Sequence, residues 1–97
     1  MTEKDIIEIL KSHEKEIKRF GVKKIGIFGS YVKQNYNENS DIDILVDFEN
    51  VSRISKSYFG LKFYLEDLLG KEIDLCREKD IKKELKEEIL RSVKYVS

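Results

Sequence analysis

The run Ser40-Asp41-Ile42-Asp43-Ile44-Leu45-Val46 constrains the fold more than any other stretch, because aspartates and aliphatic residues alternate along it. Alternation with period two is the pattern of a strand with one face buried and the other in water. Asp41 and Asp43 therefore share the polar face, with Cα atoms about 7 Å apart at the usual rise per residue. Two carboxylates at that spacing suit oxygen ligation of a divalent cation. Mg²⁺ favours such a site because it keeps waters and substrate phosphates as its other ligands. A calcium loop fits less well, since Ile42 and Ile44 stand where an EF-hand would place further oxygen donors and its glycine.

Upstream, Lys24-Ile25-Gly26-Ile27-Phe28 reads as a short buried strand ending at Gly29-Ser30. Glycine there permits a tight turn and a close approach of backbone to an anion. A helix starting at Tyr31 would turn its free N–H groups toward a phosphate, with the Ser30 hydroxyl as a further donor. Gly-Ser alone and Asp-x-Asp alone are both weak signals. Their order, their separation and their strand context together make a specific one, and it points to nucleotidyl transfer.

Gly29-Ser30, ten intervening residues and then Asp41-Ile42-Asp43 resemble the G-S-x10-D-x-D signature of the minimal nucleotidyltransferases of the polymerase-beta-like superfamily. The likeness extends over nearly the whole chain. Leu65 to Leu75 resembles the family's helix, glycine turn and third carboxylate strand, and Ile89 to Val96 resembles its closing helix. Where many relatives carry a small residue, then arginine and glycine after Gly-Ser, this chain has Tyr31-Val32-Lys33-Gln34. Lys33 keeps a positive charge without the planar fork of arginine.

The resemblance implies an α/β (α+β) fold, with a small mixed sheet, helices mainly on one face and the carboxylates on the other. It also implies Mg²⁺-dependent transfer of AMP from ATP, with two Mg²⁺ ions held by Asp41, Asp43 and Asp74 as the catalytic carboxylates. Gly29, Ser30 and Lys33 are the residues placed to bind the nucleotide phosphates. Chains of this size and pattern resemble the antitoxin half of toxin–antitoxin pairs, in which the nucleotidyltransferase adenylylates a tyrosine of a HEPN-domain ribonuclease. Such toxins carry an arginine followed a few residues later by histidine. Here the sole histidine, His13, precedes every arginine, so this chain is not the ribonuclease.

Ninety-seven residues, about two-fifths of them apolar, suit a single minimal nucleotidyltransferase domain over 1–97 with one core. Nineteen basic and nineteen acidic side chains cancel, so no overall field draws the chain to nucleic acid or to an anionic membrane. A polynucleotide polymerase would need a basic template channel and more length to build it. Met1-Thr2-Glu3-Lys4-Asp5 lacks the basic and apolar regions of a leader, and no apolar run approaches membrane-spanning length, so a cytoplasmic protein is expected. Cys76 is the only cysteine, which excludes an internal disulfide and a cysteine-based zinc site.

Along the chain, Thr2 to Asp5 resembles a capping box, and Ile6, Leu10 and Ile17 suit one helix running to about Arg19, ended by Gly21. Strand one spans about Val22 to Phe28, and a short helix from Tyr31 leads into the polar loop Asn35 to Ser40. Strand two covers about Asp41 to Phe48. A helix carrying Ile54, Tyr58, Leu61, Leu65 and Leu68 stops at Gly70, a natural position for a glycine cap. Strand three is Glu72 to Arg77. A last helix from near Asp80 is expected to close the core through Ile81, Leu85, Ile89, Val93 and Val96.

In strand three Ile73 and Leu75 flank Asp74, which therefore points away from the apolar side and joins Asp41 and Asp43 if strands two and three are neighbours. Clustered carboxylates repel unless cations fill the site, which is the logic of two-metal phosphoryl transfer. Taken singly, each aspartate reads as a cap or an exposed strand residue. Asp47 reads as a solvated strand end, His13 as inert, and Cys76 as a semi-buried thiol on the Asp74 side. Lys33 stays open between a phosphate ligand and a solvated lysine. Two other functions compete with protein adenylylation: a non-catalytic module that masks its partner, and nucleotidyl transfer to a small-molecule hydroxyl. The latter lacks any added domain to enclose its acceptor.

Overall fold

The computed structural model describes residues 1–49 and 52–96. It opens with helix α1 (Glu3–Ser12), whose first turn is closed by the expected box. Asp5 N donates to Thr2 Oγ1 at 3.2 Å, and Thr2 N donates to Asp5 Oδ2 at 2.9 Å. These two bonds satisfy N–H groups that a helix start leaves without partners. The single helix expected to reach Arg19 is instead two. His13 leaves the helical region at φ −112° and ψ 23°, and its Nδ1 lies 2.9 Å from the Ile9 carbonyl oxygen. Helix α2 (Glu14–Lys18) follows. Ile6, Leu10 and Ile17 reach the core across the break, which is why their spacing reads as continuous.

Strand β1 (Val22–Phe28) leads through Gly29 into the short helix α3 (Ser30–Lys33), then β2 (Ile42–Phe48), α4 (Ile54–Leu69) and β3 (Ile73–Arg77). A 3-10 turn at Glu78–Asp80 precedes α5 (Lys83–Ser92) and a two-residue strand β4 (Lys94–Tyr95). The sheet order is β3-β2-β1-β4. β1 runs antiparallel to β2 and to β4, and β2 runs parallel to β3. This is the mixed sheet the sequence implied, with a fourth strand that it did not.

One face of the sheet, carrying Ile25, Ile27, Ile42, Ile44, Val46, Ile73 and Leu75, packs against Ile6, Leu10 and Ile17 from the first helices and Leu61, Leu65 and Leu69 from α4. Leu69 takes the buried place expected for Leu68, and α4 ends on Gly70 at φ +67°. Leu45 is fully buried yet lies outside that cluster, because its parity turns it to the opposite, carboxylate-bearing face.

The closing helix departs from expectation. α5 has no buried residue, and Leu85 is half exposed, so the helix does not seal the core; of the expected stripe, Val96, beyond the helix, packs against it. The chain leaves the helix after Ser92 and pairs with Gly26 and Ile27, while Val96 N donates to the Ile25 carbonyl at 2.8 Å. Gly26 permits this approach: a Cβ there would stand 2.8 Å from the Lys94 carbonyl oxygen. Val93-Lys94-Tyr95-Val96 is also rich in β-branched and aromatic residues, which favour a strand.

Candidate active site

Register brings the expected carboxylates to one end of the sheet. Asp43 lies opposite Phe28 on β1 and opposite Asp74 on β3, so the residue before the Gly29-Ser30 turn and two carboxylates are lateral neighbours. The Ser30 N–H and the Asp74 carboxyl both act on the Asp43 carboxyl. Burial pushes the Asp43 carboxyl up to about 6, and the facing Asp74 carboxyl pushes the same way. The Ser30 N–H opposes them, and the Asp41 charge adds a weaker repulsion.

Asp41 is exposed and precedes β2, where Ile42 N donates to the Glu72 carbonyl at 3.1 Å and opens the parallel ladder. Asp43 and Asp74 are thus direct neighbours across the β2–β3 ladder, whereas Asp41 acts on Asp43 through its charge. Among the described residues no group of three His, Cys, Asp or Glu side chains is close enough to hold one metal ion. The donor chemistry of the pair nevertheless fits Mg²⁺: the ligands are all oxygen, and the crowding that favours a proton on Asp43 would equally favour a hard divalent cation.

Gly29 has φ +75°, and a Cβ built on it would lie 2.1 Å from Asp43 Oδ2. The glycine therefore makes room for the carboxylate itself. The N–H of the next residue, Ser30, is turned to the same carboxylate. Lys33 points elsewhere: its Nζ lies 3.5 Å from Glu88 Oε1 on α5, and both side chains are exposed. Gln34, next in sequence, caps α3 at φ +61°, a conformation that favours glycine. Tyr31 anchors the turn from beneath, buried and stacked on Tyr36 with ring centroids 4.2 Å apart.

Cys76 borders the site, with Sγ 3.9 Å from Asp74 Oδ1. Burial pushes its thiol up to about 11, assisted by Asp74 and Asp43, so it stays an uncharged neighbour. Asp47 is partly buried two places beyond Leu45 on β2, away from the Asp43–Asp74 pair. His13 sits at the α1–α2 junction and takes no part.

Sequence reasoning missed two residues of α4 that touch β3. The Tyr58 hydroxyl donates to the Leu75 carbonyl, and Glu66 Oε2 accepts from Ile73 N at 3.1 Å. In the sequence Tyr58 reads only as part of an apolar stripe, and Glu66 only as one residue of the stretch from Leu65 to Leu75. It also missed Phe59 and Phe63, stacked at 6.4 Å on the outer side of α4 and each more than half exposed. No helix among the described residues is long and apolar enough to cross a membrane.

Residues 4–96 match the family described as nucleotidyltransferase domain. The protein adenylyltransferase MntA of Thermococcus cleftensis is 45% identical over 97 residues, which cover 99% of this chain and 97% of the relative. Among solved structures, a candidate minimal nucleotidyltransferase aligns with a TM-score of 0.76 at 31% identity, covering 97% of this chain and 95% of that one. A tri-AMPylated Shewanella oneidensis HEPN toxin in complex with its MNT antitoxin aligns with a TM-score of 0.64 at 19% identity, covering 94% and 71%. That last likeness is one of fold.

Proposed function

This chain belongs to the nucleotidyltransferase domain family, and on that premise we propose that it is a protein adenylyltransferase that transfers AMP from ATP to a tyrosine hydroxyl of a HEPN-domain ribonuclease toxin and so acts as its antitoxin. The observation that carries this reading is the Asp43–Asp74 pair, directly opposed across the β2–β3 ladder and set against the Gly29-Ser30 turn. Support for a protein acceptor comes from the full-length similarity to a protein adenylyltransferase. Support for the partner comes from the AMPylated HEPN toxin in the complex that shares this fold.

In the reaction the acceptor oxygen attacks the α-phosphorus of ATP, the bond from that phosphorus to the bridging oxygen breaks, and pyrophosphate leaves. Asp74 orients the acceptor hydroxyl and takes up its proton. The Gly29-Ser30 turn brings backbone and the Ser30 hydroxyl against the triphosphate, and the lack of a side chain at Gly29 lets the Asp43 carboxylate stand beside that turn. Asp41, Asp43 and Asp74 would hold two Mg²⁺ ions, which supply neutralisation of the triphosphate charge and activation of the hydroxyl. The rest is positioning: the chain places the acceptor oxygen in line with the bond that breaks.

Asp74→Asn separates this account from simple masking of the partner. Asp74 contributes to chemistry and little to a broad protein interface, so the variant should bind a HEPN toxin and fail to modify it. It should then neutralise the toxin only near stoichiometric amounts. A wild-type chain that neutralises the toxin only near stoichiometric amounts, as the variant does, would replace catalysis with masking, whereas substoichiometric neutralisation by the variant would remove Asp74 from the chemistry.

A further inference from the structure

Among the described residues β3 is an edge strand, since the order β3-β2-β1-β4 leaves one of its sides without a strand partner. A free edge presents N–H and C=O groups that must find partners elsewhere. Two of them find side chains of α4. The Ile73 N–H donates to Glu66 Oε2, and the Leu75 carbonyl accepts from the Tyr58 hydroxyl. The residue between those two bonds is Asp74.

Each partner is itself held for the task. Lys62 Nζ lies 3.0 Å from Glu66 Oε2, and this bond first, then the Ile73 N–H, keeps the Glu66 carboxyl below its usual range. It therefore stays an ionised acceptor. Burial, then the nearby Cys76 and Asp74, push the Tyr58 hydroxyl up, so it stays a donor. The strand needs such support. Asp43 and Asp74 face each other across the β2–β3 ladder, where like charges repel, and on its other side β3 has no second ladder to resist opening.

We propose that Tyr58 and Glu66 are positioning residues that clamp the free edge of β3 to α4 on either side of Asp74 and hold that carboxylate against Asp43. The inference rests on the role given to Asp74 above. A displacement of about 1 Å at a reacting group can lower a rate roughly a hundredfold, so a clamp remote from the substrate can govern turnover without touching it.

The test compares Tyr58→Phe, Glu66→Ala and Glu66→Gln in the full chain by two readouts. One is steady-state transfer from ATP to a purified HEPN-domain toxin at saturating MgCl₂, and the other is amide hydrogen exchange without nucleotide or metal. Tyr58→Phe and Glu66→Ala should each lower kcat about tenfold while leaving KM for ATP within about twofold. Exchange in β3 should quicken while β1 keeps its protection. Glu66→Gln still offers an oxygen to the Ile73 N–H and should restore most of both.

Unchanged kcat and unchanged β3 protection in the first two variants, with Asp74→Asn inactive, would overturn the clamp and leave the role of Asp74 standing. Loss of protection spread equally over β1 and β3 would also overturn it, as general destabilisation. If Asp74→Asn keeps full transfer, the role of Asp74 falls instead. The exchange measurement, which needs no activity, then decides whether β3 is clamped.

Discussion

Gly29 and Asp43 are fitted to each other so closely that a Cβ on Gly29 would stand 2.1 Å from Asp43 Oδ2. The turn that is to face the nucleotide and the carboxylate at the centre of the site therefore compete for one space. Gly29→Ala should displace the carboxylate as well as strain a backbone at φ +75°, the latter costing about 1–3 kcal/mol. Gly70 provides the control, because it has φ +67° with open space around its Cβ position. Gly70→Ala should lower the melting temperature and spare transfer, whereas Gly29→Ala should lose both. Equal retention of activity in the two variants would contradict the assignment of Gly29.

Without metal, the raised carboxyl of Asp43 makes stability depend on pH. The folded chain holds that proton up to about 6, whereas an unfolded aspartate releases it near 4. The contribution is fully present below the unfolded value and is lost as pH rises through about 6. Melting scans in chelator should therefore show the chain weakening between roughly pH 4 and pH 7. Asp43→Asn should flatten that part of the profile, raise the melting temperature at neutral pH and abolish Mg²⁺-dependent transfer. A profile that the Asp43→Asn variant leaves unchanged would remove the crowded pair as its cause.

Lys33 sits 3.5 Å from Glu88 rather than facing the carboxylates. An exposed ion pair of this kind contributes about 0–1 kcal/mol, so Lys33→Ala and Glu88→Ala should each leave the melting temperature nearly unchanged. Titration calorimetry with ATP separates the two roles that the sequence left open. Comparable small effects from both variants mark Lys33 as a partner of α5. A large loss of ATP affinity confined to Lys33→Ala would make it a phosphate ligand.

Gln34 adopts φ +61° at the end of α3, where the resemblance to relatives leads one to expect glycine. A left-handed conformation costs a non-glycine residue about 1–2 kcal/mol, offset in part by the entropy a glycine loses on folding. Gln34→Gly should stabilise the chain by up to about 1 kcal/mol, readable as a rise of about 4–8 °C in melting temperature. A fall would show that the Gln34 side chain does more for the turn than its backbone costs.

The sequence made the site legible where chemistry follows local pattern. Alternation from Asp41 to Val46 placed β2 within one residue of its start, and Ile73 and Leu75 set the parity of Asp74. The parallel pairing that joins Asp43 to Asp74 had to be assumed, because register is a long-range property. The same limit hid β4: its partner, Gly26, lies about seventy residues earlier in the chain, and an apolar stripe that continued the helical spacing of α5 masked the strand. Tyr58 and Glu66 were hidden for a related reason. What they do depends on β3 being an edge, and nothing local to α4 records that.

The central claim is catalytic transfer, and the intact mass of the partner reads it most directly. A purified HEPN-domain toxin incubated with a small fraction of an equivalent of this chain, ATP and Mg²⁺ should gain the mass of one or more AMP groups on most of its molecules. The gain should vanish with Asp43→Asn or Asp74→Asn and when the acceptor tyrosine is replaced by phenylalanine. A toxin that gains no mass, yet is silenced once the chain reaches one equivalent, would contradict the account and leave binding alone as the mechanism.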